Sequence, residues 1–304
     1  MEIITNTTDF YLERETAAAL GKFDGVHIGH RRLLDEIILR KNKGLAACVF
    51  TFDPTPAVFF GSSDGKELTV KEEKRLLFER MGIDILIEFP LNAQTAAISP
   101  ETFAAQVLAR QMNVRFVAAG SDLSFGAGGA GDAALLRRLG PELGFEPATI
   151  DKVCLEGVEV SSTYVRGQVE SGHMRTAERL LGMPYMAAGR VTEGKKLGRK
   201  LGFPTVNLLP GENKLMPPNG VYFSRVRHDQ KTYRAISNVG YKPTVTSERV
   251  LGVESYLYDF DEVIYGEEIE VYLCEFLRPE RRFESVEALR EQLEKDIAAG
   301  ADYA

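Results

Sequence analysis

The 304-residue sequence predicts two domains, a parallel α/β domain followed by an antiparallel β domain. In the first half, apolar runs alternate with stretches of helical spacing, which is typical of a parallel sheet covered by helices. From about residue 189, short segments rich in Val, Tyr, Phe and Ile alternate with Gly and Pro turns, as in antiparallel sheets and small barrels. The change falls near Gly182-Met183-Pro184, so we expect domains at residues 1–183 and 184–304.

The elements of the first half follow from the spacing of apolar residues. Predicted strands cover residues 17–20, 45–51, 83–89, 115–119 and 154–160. Predicted helices cover residues 31–39, 71–81, 100–111 and 132–143, with another helix after Ser161-Ser162-Thr163. Because ligands bind at the carboxyl ends of strands in such sheets, we expect three segments that directly follow strands to line one crevice. These are residues 21–30, 51–54 and 120–122.

The second half shows the shorter rhythm of an antiparallel sheet. Predicted strands cover residues 189–193, 220–227, 233–239, 253–258 and 269–277. The chain closes with a predicted amphipathic helix over residues 285–299, for which Ser285 is the expected N-cap.

Composition and charge argue against several classes of protein. The net charge of −7 disfavours bulk attraction to nucleic acid or to an anionic membrane. No apolar run is long enough to span a bilayer, and no signal-peptide pattern is visible. Cys48, Cys154 and Cys274 are widely spaced in apolar surroundings, which predicts buried, reduced thiols. We therefore expect a cytoplasmic protein, monomeric or weakly homo-oligomeric, with neither nucleic acid nor membrane as a partner.

The segment of residues 21–30, Gly-Lys-Phe-Asp-Gly-Val-His-Ile-Gly-His, lies where a strand turns into a helix. Backbone N–H groups at a helix start attract phosphate, and Gly25 and Gly29 allow close approach to the backbone. His27 and His30 add donors that we expect to gain charge near neutral pH. This context predicts a nucleotide site for attack on an α-phosphate with loss of pyrophosphate, which needs positioning and charge stabilisation but no protein nucleophile.

Two further motifs in the first half are less specific. Residues 126–131 satisfy G-x-G-x-x-G, but they do not follow a strand immediately. We interpret them as a loop before the helix at Asp132 rather than a dinucleotide fingerprint. Ser161-Ser162-Thr163 precedes a helix and suits either N-capping or phosphate binding, because both use the same hydroxyls. Arg166, one turn into that helix, could bind a phosphate through its guanidinium.

The second half carries three polar features. Lys195, Lys196, Arg199 and Lys200 form a basic cluster among glycines, which favours a ligand loop over a merely solvated one. Thr205 and Asn207 alternate on an extended segment and offer oxygens suited to Mg²⁺ and phosphate, although a polar turn would explain them equally well. Glu254, in an otherwise apolar strand, is either a surface residue or a general base. No G-x-x-x-x-G-K-[ST] motif is present, so any phosphotransfer is not of the P-loop type.

In their order from about Leu20 to Asp296, these motifs resemble the bacterial bifunctional riboflavin kinase/FMN adenylyltransferase (FAD synthetase) family. The adenylyltransferase half is similar at residues 21–30, Gly120-x-Asp122, Phe125-Gly126, Ser161-Ser162-Thr163, Arg166 and Leu181-Gly182-x-Pro184-Tyr185. The kinase half is similar at Gly198-Arg199-x-Leu201-Gly202-Phe203-Pro204-Thr205-x-Asn207, Pro218-x-Gly220-Val221-Tyr222, Asn238-Val239-Gly240, Pro243-Thr244, Val253-Glu254, Tyr265-Gly266 and Leu277-Arg278.

The resemblance implies a Rossmann-like nucleotidyltransferase domain followed by an antiparallel six-stranded β-barrel riboflavin kinase domain with a C-terminal helix. It also implies two sequential reactions that use Mg²⁺ and ATP. Riboflavin and ATP give FMN, and FMN with a second ATP gives FAD and pyrophosphate.

The resemblance further implies roles for individual residues. In the first domain, His27 and His30 would act on the ATP phosphates, and Asp122 and Phe125 would contact the flavin. The ATP-binding residues there would be Gly21, Phe23, Asp24, Gly25, His27, His30, Ser161, Thr163 and Arg166. In the second domain, Thr205 and Asn207 would hold Mg²⁺, and Glu254 would take the proton from the ribityl hydroxyl. The ATP phosphates there would contact Gly198, Arg199, Gly202, Pro204, Thr205 and Asn207.

Three departures from the family pattern all lie in the adenylyltransferase half and remove positive charge. Thr55 replaces a frequent His, Tyr164 replaces a frequent Arg, and residues 126–131 lack the basic residues common there. Each lost phosphate contact costs about 1–3 kcal/mol, or roughly ten- to a hundredfold in rate. A riboflavin kinase with a weak or inactive adenylyltransferase domain is therefore an alternative.

The sequence argues against two hypotheses outside flavin biosynthesis. One is a cytidylyltransferase-like enzyme that acts on another phosphorylated alcohol, against which the barrel half argues. The second is a flavin-binding regulator without catalysis, against which Thr205, Asn207 and Glu254 argue.

Overall fold

Two sheets organise the chain, a parallel sheet towards the N-terminus and a closed antiparallel barrel towards the C-terminus. The computed structural model describes residues 1–194, 198, 201–243, 249–301 and 303. The chain divides into two compact units, residues 1–66 with 74–161 and residues 67–73 with 162–304. No helix in the described part of the chain is long and apolar enough to cross a membrane.

The first unit is built on a six-stranded parallel sheet with the order β1-β4-β3-β2-β5-β6. Its strands are β1 (Glu2–Thr5), β2 (Thr16–Leu20), β3 (Ala46–Asp53), β4 (Ile85–Pro90), β5 (Val114–Gly120) and β6 (Glu146–Ile150). The four central strands confirm the sequence prediction, whereas β1 and β6 were not predicted. Both are edge strands with little burial, and Pro147 interrupts the apolar signal of β6.

Helices accompany this sheet as the alternating pattern predicts. The longer ones are α1 (Ile28–Leu39), α2 (Lys71–Arg80) and α3 (Ala133–Leu143). The predicted helix at 100–111 begins as a short α-helix, Pro100–Thr102, and continues as a π-helix, Phe103–Gln111. Shorter helices are Pro56–Phe59 and Ala93–Ala96, with 3-10 turns at Arg40–Lys43 and Ala127–Gly129. The glycine-rich stretch 126–131 is thus a loop before α3, which confirms its interpretation.

Strand β2 lies in the middle of the sheet and is buried throughout. It pairs in parallel with β3 on one side and with β5 on the other. The chain runs outward from β2 in one direction through β3 and in the other through β5, so the topological switch point lies between β2 and β5. Residues 21–30, 51–54 and 120–122 therefore share the carboxyl edge of the sheet, although residues 51–53 are the end of β3 itself rather than a segment that follows it.

The predicted strand over residues 154–160 is wrong, because this segment is a tight hairpin. Its two-residue strands, Cys154–Leu155 and Val158–Glu159, pair with each other through a turn at Glu156 and Gly157. Both turn residues have positive φ, 53° and 80°, as a type I′ turn requires. Cys154 is consequently exposed, which corrects the prediction of three buried thiols; Cys48 and Cys274 are buried, and all three are free.

The second unit contains a closed six-stranded barrel with the order β7-β8-β11-β10-β9-β12. The strands are β7 (Tyr185–Thr192), β8 (Val206–Leu208), β9 (Gly220–His228), β10 (Lys231–Pro243), β11 (Arg249–Leu257) and β12 (Glu268–Pro279). The pairing is antiparallel throughout, which confirms the predicted barrel. Inside it, the hydroxyl of Ser237 lies 2.7 Å from those of Ser224 and Ser255, so these buried polar groups satisfy one another.

Three helices accompany the barrel in this unit: α4 (Ser162–Glu170), α5 (Met174–Leu181) and α6 (Val286–Ala301). The predicted cap of α6 is confirmed, since the Ser285 hydroxyl accepts a hydrogen bond from the backbone N–H of Ala288 at 3.1 Å. Asp296 on this helix is buried and accepts two-pronged hydrogen bonds from Arg278 on β12. This ion pair fixes the helix against the barrel wall.

A buried ion pair holds residues 67–73 within the second unit. Lys214 Nζ lies 2.7 Å from Glu73 Oε2, and both side chains are only 1% exposed. Lys214 also donates to the Leu68 carbonyl, and Glu73 accepts from the backbone N–H groups of Val70 and Ala188. Every charge is therefore compensated by several donors or acceptors, which makes burial of the pair tolerable.

We expect Lys214→Ala to destabilise the second unit by about 3–5 kcal/mol, because the Glu73 carboxylate would stay buried without its cation. Urea unfolding followed by tyrosine fluorescence and circular dichroism measures this loss. Arg190→Ala is the control, since its ion pair with Glu268 is exposed (73% and 65%) and should contribute less than about 1 kcal/mol. Equal losses for the two variants would contradict the importance of the buried pair.

Candidate functional sites

The two histidines of the 21–30 segment form a stacked pair at the start of α1. Their ring centroids lie 3.6 Å apart with an interplanar angle of 14°. His27 is the N-cap of α1, and its Nδ1 accepts a hydrogen bond from the backbone N–H of His30 at 3.2 Å. Nδ1 of neutral His27 must therefore be unprotonated, which places the ring proton on Nε2. That N–H is the hydrogen-bond donor that the His27 side chain can offer.

Both histidines are neutral near pH 7, which corrects the expectation that they gain charge there. Burial lowers the pKa of His27 to about 4, although the adjoining backbone and Asp122 oppose the shift. Burial, with the neighbouring His27 and Lys74, holds the pKa of His30 well below its ordinary value. The sequence motif does not show this effect, because it depends on how deeply the fold buries the rings.

The backbone around the histidines adopts rare conformations. Phe23 and Val26 have positive φ of 51° and 44°, and Gly25 between them has 86°. Such angles are uncommon for non-glycine residues, above all for a β-branched one, and they cluster at functional sites. A Cβ at Gly29 would lie 3.1 Å from the His27 ring, so a larger residue there would press against that ring.

The other residues predicted for this first site have diverse surroundings. Gly21 and Asp24 are half-buried in the same loop, and Phe23 is buried against Phe78. Ser161 is half-buried at the end of the first unit. Thr163, exposed, and Arg166, half-buried, lie on α4 in the second unit.

The two predicted flavin contacts differ in exposure. Phe125 is 5% exposed and packs on Phe103 inside the apolar core, with ring centroids 5.7 Å apart. Asp122 lies at the carboxyl edge of β5 with its side chain 69% exposed, 3.4 Å from Lys152. Lys152, for which the sequence predicts no role, also lies 2.6 Å from Glu159 and brings a cation to this edge.

In the barrel, the structure brings together the three residues predicted to act in the kinase. The Thr205 hydroxyl donates to Glu254 Oε1 at 2.6 Å. Asn207 on β8 is the direct cross-strand partner of Glu254 on β11, so the two side chains share a face. Gly194 allows this arrangement, because a Cβ there would lie 2.5 Å from the Asn207 amide nitrogen.

Strand register places further residues beside Asn207 and Glu254 on the outer face of the barrel. Glu254 pairs with Asn238 on β10, Asn238 with Val221 on β9, and Val221 with Arg278 on β12. Their chain neighbours, such as Val253, Ser255 and Val239, are at most 1% exposed and point into the barrel. The sequence predicts no individual role for Asn238 or Glu280, because strand register is what places Asn238 beside Glu254, and a hydrogen bond to Asn238 is what brings in Glu280.

Two cavities meet at Thr205. The larger holds about 600 Å³, and the smaller about 220 Å³. The larger has apolar walls with a polar strip that includes Thr205, Glu254 and Asn238. Its apolar walls are Leu201, Phe203, Val221, Ile236, Phe283, Leu289, Leu293 and Ile297. The smaller is lined by Pro204, Thr205 and Asn207 together with residues 260–265.

Two further residues predicted to contact phosphate, Gly198 and Gly202, lie in the segment that leads to this junction. Gly198 lines the larger cavity, and its carbonyl accepts a hydrogen bond from Phe203 N–H at 2.8 Å. Gly202 has φ of 91°, which permits the turn that delivers Pro204 and Thr205. Arg199 lies outside the described residues, as do Lys195, Lys196 and Lys200 of the basic cluster.

A parallel α/β unit with a histidine-capped helix at its switch point, followed by a barrel in which a carboxylate accepts from a threonine shared by two cavities, is typical of a two-domain phosphate-transferring enzyme. Comparison with known proteins makes this specific. The family model described as FAD synthetase matches residues 11–164, and the one described as riboflavin kinase matches residues 181–304. The chain belongs to the bifunctional riboflavin kinase/FMN adenylyltransferase family.

Curated relatives extend over nearly the whole chain. The bifunctional riboflavin kinase/FMN adenylyltransferase of Listeria monocytogenes is 36% identical over 293 residues, covering 95% of this chain and 93% of the relative. That of Escherichia coli K12 is 35% identical over 287 residues, covering 93% and 91%. A crystal structure described as a macrolide-efflux protein from Streptococcus pneumoniae has a TM-score of 0.85 at 28% identity and covers 99% of both chains. The efflux function in that description belongs to that protein, and this chain shares its fold.

We expect the stability of the protein to fall as the pH drops from 6.5 towards 4. In that interval, an unfolded histidine with a pKa of 6.5 binds a proton that folded His27, with a pKa of about 4, does not. The stabilisation is fully present above pH 6.5 and decreases by about 3 kcal/mol for this residue as the pH approaches 4.

Urea unfolding at pH 7 and pH 4.5 measures this dependence. His27→Asn is the matched variant, because its amide oxygen can still cap α1 but does not titrate. The decrease in the free energy of unfolding from pH 7 to pH 4.5 should be about 2 kcal/mol smaller in this variant than in the wild type. An identical loss in both proteins would show that His27 does not carry the effect.

Proposed function

We propose that this chain phosphorylates riboflavin with ATP to give FMN and then adenylylates FMN with ATP to give FAD and pyrophosphate. Membership of the bifunctional family supports both steps. The observation that carries the kinase step is the hydrogen-bonded pair of Thr205 and Glu254 where the two barrel cavities meet. A flat flavin ring suits the larger, mostly apolar cavity, and ATP suits the smaller one.

In the kinase step, Glu254 acts as the general base. Its Oε1 accepts from Thr205, and its Oε2 has no hydrogen-bond partner in the described part of the chain. That oxygen can accept the proton of the terminal ribityl hydroxyl as the hydroxyl oxygen bonds to the γ-phosphorus. The bond from the γ-phosphorus to the bridging oxygen breaks, and ADP leaves.

Thr205 and Asn207 are the residues we propose to hold Mg²⁺ with the ATP phosphates. Both offer oxygen atoms to the smaller cavity, and Mg²⁺ usually takes one or two protein oxygens together with phosphate and water. When bound, Mg²⁺ neutralises phosphate charge.

In the adenylyltransferase step, the stacked histidines serve as neutral donors. A phosphate oxygen of FMN attacks the α-phosphorus of ATP, and pyrophosphate leaves. The Nε2–H of His27 and the free N–H groups at the start of α1 stabilise the charge on the phosphoryl oxygens. Ser161, Thr163 and Arg166 bind the nucleotide, and Asp122 and Phe125 contact the flavin.

Several broader properties belong to the same proposal. The boundary at residue 183 separates an adenylyltransferase at 1–183 from a kinase at 184–304. The enzyme works in the cytoplasm, where ATP is available, as a monomer or weak homo-oligomer. It needs neither nucleic acid nor membrane, in keeping with the net charge of −7.

Incubation of the purified protein with riboflavin, ATP and Mg²⁺, followed by chromatography of the flavins, tests the proposal directly. We expect FMN to form first and FAD to follow. Formation of FMN alone would support a kinase with an inactive first domain, in line with Thr55, Tyr164 and the uncharged loop at 126–131. Absence of any conversion would overturn both steps.

Glu254→Gln should lower kcat for FMN formation by about 10²- to 10⁴-fold, because the amide keeps the shape of the side chain but cannot take a proton. Conversion of supplied FMN to FAD should stay unchanged, which serves as the internal control. Glu268→Gln, an exposed carboxylate on the barrel, is the matched substitution and should retain both activities. Unchanged FMN formation in Glu254→Gln would exclude Glu254 as the base.

His30→Ala should lower FMN adenylylation by about 10²- to 10³-fold, the usual cost of losing a group that supports transition-state charge. FMN formation should remain, since it takes place in the barrel. The same assay, started separately from riboflavin and from FMN, reports the two rates. Equal loss of both activities would contradict a role confined to the adenylyltransferase site.

A further inference from the structure

Asn238 and Glu280 form a hydrogen-bonded pair at the polar strip of the larger barrel cavity. The Asn238 amide Nδ2 donates to Glu280 Oε1 at 3.0 Å. Both residues line the cavity together with Glu254. Proton transfer to Glu254 uses neither of them, so their presence beside the proposed base needs its own explanation.

The barrel register places Asn238 directly beside the base. Asn238 and Glu254 are cross-strand partners on β10 and β11, so their Cβ atoms lie about 5 Å apart on the same face. Glu254 is also the partner of Asn207 on its other side. An acceptor at Asn238 is thus available to the same substrate chain that offers a hydroxyl to Glu254.

Glu280 determines which end of the Asn238 amide meets the substrate. Because a carboxylate only accepts hydrogen bonds, it selects the NH₂ end, and the carbonyl oxygen Oδ1 faces away from it. Among the described residues, Asn238 makes its side-chain hydrogen bond through Nδ2, and Oδ1 has no partner there. The Glu280 carboxylate packs directly against the backbone of Gly240, where a Cβ would overlap Glu280 Oε1.

We propose that Asn238 binds the ribityl chain of riboflavin by accepting a hydrogen bond from the 4′-hydroxyl, next to the 5′-hydroxyl that is phosphorylated. Glu280 is a positioning residue that holds the Asn238 amide in the accepting orientation. The pair selects flavins that carry a polyol chain over other flat apolar molecules that fit the cavity. This inference rests on the proposed riboflavin kinase activity.

The decisive experiment compares riboflavin with its analogue that lacks the 4′-hydroxyl, in the wild type and in Asn238→Ala. The wild type should prefer riboflavin in kcat/KM by about tenfold, the usual worth of one such hydrogen bond. Asn238→Ala should lose this preference by slowing riboflavin alone, because the 4′-hydroxyl of riboflavin loses its acceptor whereas the deoxy analogue never made the bond. The KM for ATP and the thermal unfolding temperature should stay unchanged, which reports an intact barrel.

Variants of Glu280 test whether the orientation of the Asn238 amide matters, because they leave the amide itself in place. Glu280→Ala should raise the KM for riboflavin several-fold, whereas Glu280→Gln, whose carbonyl still accepts from Asn238, should stay close to wild type. Gly240→Ala should reproduce the effect of Glu280→Ala, because the added methyl group displaces the carboxylate. Glu268→Ala is the control for removal of a carboxylate elsewhere on the barrel.

Two results would overturn the inference in distinguishable ways. If the wild type forms FMN but Asn238→Ala keeps the full preference for riboflavin over the deoxy analogue, Asn238 does not contact the 4′-hydroxyl, and only this inference fails. If the wild type forms no FMN, the proposed kinase activity fails and the inference fails with it.

Discussion

Closure of the barrel is the constraint on which the kinase site depends. A closed sheet has no free edge, so each strand is held in register by two neighbours and cannot slip by one residue without moving its side chains to the other face. That register alone aligns Asn207, Glu254 and Asn238, which are far apart in sequence, in one row outside the barrel. The site is therefore as rigid as the hydrogen-bonded ladder beneath it, which is the support that a correctly placed base requires.

In the adenylyltransferase site, the main electrostatic constraint is the burial of the two histidines. Its histidines lie in a buried, stacked arrangement that makes the charged form unfavourable, which is why we propose them as neutral donors beside the N–H groups at the start of α1. A hydrogen bond from such a buried donor to a phosphoryl oxygen would be stronger than the same bond in water, because the local dielectric constant is lower. The neutral state also means that this pair itself brings no positive charge to ATP, and Lys152 beside Asp122 brings one cation to the same edge of the sheet.

Polar groups inside the second unit are stabilised by complete pairing. Lys214 and Glu73 are almost fully buried, but two backbone N–H groups also donate to Glu73 and one backbone carbonyl accepts from Lys214. The three serines within the barrel satisfy one another, and Asp296 is matched by the guanidinium of Arg278. Since a half-satisfied buried group costs far more than a paired one contributes, such groups specify one packing arrangement and disfavour others.

The amino-acid sequence determined the class of each domain, nearly all the central elements and the order of the motifs, because apolar periodicity and helix caps are local properties. It also pointed to His27, His30, Thr205, Asn207 and Glu254. It missed the edge strands, took the hairpin at Cys154 for one strand, and expected charged histidines, since burial and edge position depend on distant packing. Only the tertiary structure decided that Thr205 donates to Glu254, 49 residues away, and that Asn238 and Glu280 join them. The physical reason is that strand register and desolvation arise when the whole chain is folded, and no short stretch of sequence contains them.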